Sequence, residues 1–290
     1  MSNWWDKIAD IIKQKRCVLF LGSGISANAT KTVINPVTKA KETEHPATWK
    51  NFLEKGAANI GDKDKEERIS KYIREYNYLL ACELLCNYLG KDAFNKHVSN
   101  CFRGFEPSEV HKNIQKLGVR IIVSPNIDDI YETYAKTITK GSVVVKQYCD
   151  PDLSLAIREQ DDIILKIHGS IDNTDKWIFT SSQYAKARVE YSDFYQLLSA
   201  LLLTHTFIFL GAGLDDPDIK LLLENHSFQF RCAKKHLFVI PDNTYEEDVL
   251  KIYQDQYNLD FVKYDNTKGD HSTFVNGISD LADEIYNLTI

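Results

Sequence analysis

No C-x-x-C pair occurs in these 290 residues; the cysteines stand singly at Cys17, Cys82, Cys86, Cys101, Cys149 and Cys232. That removes zinc modules built on paired thiolates. No apolar stretch approaches the ~20 residues that a membrane-spanning helix needs. The nearest, Leu197 to Leu210, is too short and is broken by Ser199, Thr204, His205 and Thr206. Positive charge is not in excess: 35 Lys and Arg stand against 41 Asp and Glu, a net charge of −6. Broad binding to nucleic acid is therefore not expected, with a local basic patch left open. The opening Met1-Ser2-Asn3-Trp4-Trp5-Asp6 has neither the basic nor the apolar region of a signal peptide. A cytoplasmic protein with reduced thiols and no membrane attachment is expected. Repeats and low-complexity segments are absent too.

What is present is an ordinary globular composition, 43% hydrophobic and 26% charged. The length allows one large α/β domain with an insertion, or two small domains. Trp4, Ile8, Ile11 and Ile12 share a helical face over 4–14. Trp4 and Trp5 read either as interface anchors or as core. Residues 27–46 are polar, contain two prolines and are expected to form a long loop. Residues 47–118 read as helical throughout, and Asp62 to Arg74 as a solvated helix face.

From residue 119 strands and helices alternate. Strands are predicted at 120–124, 143–147, 163–167, 177–180, 206–210, 236–240 and 259–264. Helices are predicted at 127–137, 181–204, 216–225, 245–255 and 272–288. The pattern predicts an α/β, Rossmann-like fold: a mostly parallel sheet, helices on both faces and an all-helical insertion at about 47–118.

Three short segments follow buried apolar runs. Cys17–Leu21 leads into Gly22-Ser23-Gly24-Ile25-Ser26, Arg120–Val123 into Ser124-Pro125-Asn126-Ile127-Asp128-Asp129, and Ile163–Leu165 into Lys166-Ile167-His168-Gly169-Ser170. Ligands of open α/β sheets bind at the carboxyl ends of the strands. The Gly22 turn fits a relaxed dinucleotide fingerprint, G-x-G-x-x-A, or a purely structural turn. A nicotinamide dehydrogenase would need a second strand ending in an acid ~20 residues on. Thr30 to Pro46 shows none, which counts against hydride transfer. A second glycine turn, Gly211-Ala212-Gly213, runs into Leu214-Asp215-Asp216-Pro217. Its carboxylates would repel a phosphate, and Asp216 before Pro217 reads as a helix N-cap. Asp128 or Asp129 reads as a cap as well, and a strand-end histidine by itself is usually structural.

Taken in order, the three turns resemble the SIR2 (sirtuin) superfamily. Gly22–Ser26 is similar to its GAGIS turn, Asn126-Ile127-Asp128 to the NID of its QNID motif, and His168-Gly169 to its catalytic HG. Gly211 and Gly213 stand where the family has a later NAD turn. The resemblance implies one NAD-binding domain over residues 1–290 and cleavage of the nicotinamide–ribose bond of NAD. Gly22, Ser23, Gly24, Ile25 and Ser26, with Gly211 and Gly213, would bind NAD, and Asp128 would grip the nicotinamide carboxamide. Asn126 would orient the ribose or the attacking water, and His168 would be the general base.

The zinc module of the protein-deacylating sirtuins is missing, so no zinc is expected. Cys82, Cys86, His97 and Cys101 leave a Cys3His site open, although small buried helical cysteines are the simpler reading. His45-Pro46-Ala47-Thr48-Trp49-Lys50 replaces the family's IPDFR segment. This and the Asp216-Pro217-Asp218-Ile219 stretch resemble the prokaryotic antiphage-defence branch, whose members hydrolyse NAD. NAD hydrolysis to nicotinamide and ADP-ribose is therefore expected, with NAD entering as substrate. A deacylase or ADP-ribosyltransferase, or a non-catalytic NAD or ADP-ribose sensor, are the alternatives. The branch implies a homo-oligomer, or activation by a HerA-type ATPase or an Argonaute-linked partner. His271 reads as part of a helix cap or of the nucleotide end of the pocket.

Overall fold

A computed structural model describes residues 4–35, 37–159, 162–214, 216–230 and 233–287. Asp215, Cys232 and the side chain of Trp4 lie outside the described residues. In chain order the first half runs α1 (Trp4–Lys13), β1 (Cys17–Leu21), α2 (Ser23–Ser26), β2 (Lys31–Ile34), β3 (Lys41–Glu44), α3 (Trp49–Ala58), α4 (Lys63–Arg74), α5 (Tyr78–Leu89), α6 (Lys91–Phe102), α7 (Glu109–Lys116) and β4 (Ile121–Ser124). The second half runs α8 (Ile130–Ile138), β5 (Val144–Gln147), α9 (Leu153–Arg158), β6 (Ile163–Lys166), α10 (Ser181–Glu190), α11 (Ser192–Thr204), β7 (Thr206–Leu210), α12 (Pro217–Gln229), β8 (His236–Pro241), α13 (Glu247–Tyr257), β9 (Leu259–Tyr264) and α14 (Ser272–Asn287).

Seven strands form one sheet in the order β5-β6-β4-β1-β7-β8-β9, and every pair is parallel. The strands are apolar on both faces because both faces are covered. Cys17, Leu19 and Leu21 of β1 face a layer of α1, α7, α8 and α14, while Val18 and Phe20 face α9 to α13. The chain leaves β1 toward β4 and β6, then returns to β7 on the other side of β1. The strand order therefore reverses between β1 and β7, where a sheet of this kind opens a crevice.

Helices α3 to α6 pack around their own core of Phe52, Leu53, Ile69, Cys82, Leu85 and Val98. Ile127, Ile171, Trp177 and Phe179 join that core, so the helical segment sits on the loops that follow β4 and β6. Thr48, Asp62 and Asn77 accept backbone N–H bonds at the starts of α3, α4 and α5. Helix α7 behaves differently: Val110, Ile114 and Leu117 pack in the sheet layer beside α14. Trp5 is also core in that layer.

Several sequence expectations are corrected. The loop expected over 27–46 holds an antiparallel hairpin, β2 with β3. Asn35 Oδ1 builds its turn by accepting from Val37 and Thr38 N–H at 2.9 and 3.0 Å. The strand expected at 177–180 is a buried extended loop outside the sheet. There Ile178 N–H donates to His168 O at 3.1 Å and Phe179 N–H to Gln183 Oε1 at 2.7 Å. The helix expected over 181–204 breaks at Tyr191 into α10 and α11. Among the described residues no helix is long and apolar enough to cross a membrane.

Candidate active site

The two glycine turns meet at the reversal. Leu21 pairs with Leu210, which sets Gly22 beside Gly211 as the strands end. Gly22 N–H donates to Leu210 O at 3.0 Å and Gly24 N–H to Gly211 O at 2.8 Å. A Cβ on Gly22 would lie 2.4 Å from Gly211 O and 2.5 Å from Ala212 Cα. One on Gly211, which has φ +60°, would lie 2.7 Å from Ile25 N. Backbone contact between the turns therefore demands glycine at both places before any ligand does. Ser23 and Gly24 remain exposed at the edge, Ile25 is buried, and Gly213 is exposed beyond the contact.

The Asn126 turn locks directly onto the first glycine turn. Asn126 Nδ2 donates to Gly22 O and to Ser26 Oγ, both at 3.0 Å. Ser26 Oγ donates to Asp128 Oδ2 at 2.7 Å, and Asp128 Oδ1 accepts Ile130 N–H at 3.2 Å as the start of α8. Ser124 supports the turn from behind: its Oγ donates to Leu21 O at 3.0 Å and accepts Asn126 N–H at 3.2 Å. Among the described residues nothing donates to Asn126 Oδ1, so its carbonyl is free for a hydroxyl or water. Asp128 is buried with both carboxylate oxygens engaged. It is cap and network member at once, whereas Asp129 makes no side-chain cap bond.

His168 reaches the same edge on the neighbouring strand. Ser124 pairs with Lys166, so Asn126 and His168, each two residues on, leave β4 and β6 level with one another. Gly169, at φ +87°, turns the chain where a Cβ would lie 2.5 Å from Lys176 O. Trp177 Nε1 donates to Ser170 O at 2.7 Å and steadies the loop. His168 is only 5% exposed, and its ring meets Tyr184 edge-on at 5.0 Å. Its Nε2 lies 3.3 Å from Asp216 Oδ2, within charge-pair distance but off the line of a ring N–H hydrogen bond. Tyr184 Oη donates to the same Oδ2 at 3.3 Å, and Asp216 Oδ1 accepts Ile219 N–H at 3.0 Å.

Asp216 and Tyr184 therefore join His168 at this edge, a grouping that the sequence did not show. The Asp-Pro signal correctly showed a cap on α12, but nothing local showed that the second carboxylate oxygen faces His168. Tyr184 carried no signal at all.

Other candidates lie elsewhere. His45 Nδ1 is 3.1 and 2.9 Å from Ala27 O and Ala29 O. His271 is part of the cap before α14: Phe274 N–H donates to its carbonyl at 3.1 Å, and Tyr264 Oη is 2.7 Å from its Nδ1. His97 Nε2 donates to Phe52 O at 2.8 Å, and Cys101 Sγ is 4.0 Å from the ring. Burial pushes the Cys82 and Cys101 thiols up and the His97 imidazole down, which favours neutral core groups. Among the described residues no three His, Cys, Asp or Glu side chains gather to hold a metal. A polar cavity of about 790 Å³ lies between the hairpin, α3 and α6; its walls include Lys31, Lys55, His97 and Arg103 but none of the edge residues.

Residues 120–262 match the family described as SIR2-like domain. The match spans Asn126, Asp128, His168 and both Gly211 and Asp216, and begins after the Gly22 turn. The NAD(+) hydrolase ThsA of Acinetobacter baumannii (strain 532279) is 22% identical over 255 residues, 88% of this chain and 48% of its own. The protein of the same name in Enterococcus faecium is 23% identical over 266 residues, 89% of this chain and 50% of its own. Defense-associated sirtuin 2 of Bacillus subtilis is 21% identical over 258 residues, 87% of this chain and 23% of its own. The chain spans about half the length, or less, of these curated relatives.

Proposed function

We propose that this chain, whose residues 120–262 match the SIR2-like domain family, is an NAD glycohydrolase that cleaves the nicotinamide–ribose bond with water and serves in defence by depleting NAD. The observation that carries the proposal is the hydrogen-bonded unit of Gly22, Ser26, Asn126 and Asp128, with His168 level beside it on the next strand. The ThsA relatives, named as NAD(+) hydrolases, support the same reading.

The chemistry asks little of an acid. The C1′–N bond breaks, its electron pair stays on the nicotinamide nitrogen, and the leaving group departs neutral. The ribose becomes oxocarbenium-like, water adds to C1′, and a base takes the proton. Asn126 Oδ1, which no donor reaches among the described residues, is placed to accept from that water or from a ribose hydroxyl. His168 takes the proton, and the Asp216 carboxylate 3.3 Å away stabilises the imidazolium that results. The Ser26–Asp128 contact holds the turn that presents Asn126.

The enzyme acts in the cytoplasm, where its thiols stay reduced. Its activity is switched on by self-assembly or by a separate activating protein, a HerA-type ATPase being one candidate. The test is NAD turnover in H2(18)O over a range of protein concentrations, with and without candidate partners. The expected product is free ADP-ribose labelled at the anomeric hydroxyl, rising more than linearly with enzyme. Unlabelled ribose attached to acetate or protein would instead assign a deacylase or transferase. Binding without turnover in the full complex would assign a sensor.

A further inference from the structure

Lys166 and Glu132 form a buried ion pair that the chemistry above does not use. Lys166 Nζ lies 2.7 Å from Glu132 Oε1, with the two side chains 1% and 7% exposed. The same Nζ donates to the main-chain carbonyl of Asp128. Lys166 stands on β6 two residues before His168. Glu132 is in the first turn of α8, and Asp128 ends the turn that presents Asn126. A buried pair of this kind is weak support for stability, since apolar residues of similar volume often do as well. Its placement suggests another role.

We propose that Lys166 and Glu132 are positioning residues, a clamp that sets the Asn126–Asp128 turn against the strand bearing His168. The inference rests on the NAD-cleaving reading of that edge. Main-chain bonds already fix the spacing of β4 and β6: Ile167 N–H donates to Ser124 O at 2.9 Å and Ile171 N–H to Ile127 O at 2.6 Å. Neither reaches the Asp128 peptide. The direction of its carbonyl is set by Lys166, and Lys166 is aimed by Glu132. Turning that peptide would swing the Asp128 carboxylate off Ser26 Oγ, and Ser26 Oγ off Asn126 Nδ2. The clamp thus acts on Asn126 through two hydrogen bonds without touching substrate.

The test compares two variants with wild type under the condition in which wild type consumes NAD. Lys166→Met with Glu132→Leu removes both charges together. Glu132→Asp keeps the ion pair but draws Lys166 about one methylene away from the Asp128 carbonyl. In each, kcat is expected to fall about 10- to 100-fold, as displaced catalytic groups do, with KM for NAD within about threefold. Loss of kcat in a variant that unfolds at the wild-type temperature supports the clamp; kcat within about twofold of wild type overturns it. If the double variant does not fold, Glu132→Asp decides alone. Hydrogen exchange at the Ile127–Ile130 amides reads the clamp without turnover. Exchange about tenfold faster or more in Glu132→Asp supports it, and equal rates overturn it. Wild type that consumes no NAD in any condition would refute the activity and leave this exchange measurement to judge the clamp.

Discussion

His168 Nε2 and Asp216 Oδ2 face each other at 3.3 Å across the edge of the sheet, between a strand-end loop and the N-cap of α12. One carboxylate therefore does two jobs: Oδ1 starts a helix while Oδ2 meets the imidazole. The two can be separated by mutation. Asp216→Asn keeps a capping oxygen and removes the charge. It is expected to leave the unfolding temperature unchanged and to lower kcat on the order of 100-fold, since the imidazolium loses its counter-charge. Unchanged kcat would show that the pair has no part in catalysis.

The glycine turns make a stability prediction that needs no ligand. Gly22→Ala drives a methyl onto Gly211 O and Ala212 Cα, both backbone, and neither can swing away. Gly211→Ala adds strain from a positive φ. Each is expected to destabilise the fold by about 1–3 kcal/mol in denaturant unfolding. Gly61→Ala also has a positive φ, but its Cβ meets nothing within 4 Å. It should cost less than either, by the difference between strain alone and strain with overlap.

Acid should weaken the protein through histidines far from the site. Burial lowers His236 from 6.5 to about 3 and His111 from 6.5 to about 4. His236 Nδ1 accepts Phe207 N–H at 3.1 Å and His111 Nδ1 accepts Ser108 N–H at 3.1 Å, so both are held neutral. The unfolded chain binds these protons at the ordinary value and the folded chain does not. Stability is therefore complete above about pH 6.5 and falls as pH drops from there toward 4. Urea unfolding midpoints between pH 7.5 and 4.5 test this. His236→Gln should flatten the decline, and a midpoint independent of pH would refute it.

Most of the sheet was legible because β1, β4, β6 and β7 are buried on both faces and appear as unbroken apolar runs. The hairpin was not: all of β3 is exposed, and Lys41-Glu42-Thr43-Glu44 carries no apolar signal. Trp177-Ile178-Phe179-Thr180 misled in the opposite sense. Trp177 and Phe179 join the core of the helical segment while Ile178 packs in the sheet layer, and a buried loop has the same composition as a strand. At the site, Asn126, Asp128 and Ser26 were legible as motifs, and the structure joins them in one chain of hydrogen bonds. Asp216 was legible only as a cap, because its contact with His168 depends on how the loops fold over the edge. The contact between Gly22 and Gly211 was equally invisible, since it depends on the strand order.

The most direct test of NAD cleavage at this sheet edge is chromatography of NAD incubated with wild type, Asn126→Ala and His168→Ala, each shown to unfold at a similar temperature. The expected result is equal amounts of nicotinamide and ADP-ribose from wild type, and a loss on the order of 100-fold or more in both variants. NAD consumption at the wild-type rate by both variants would contradict it.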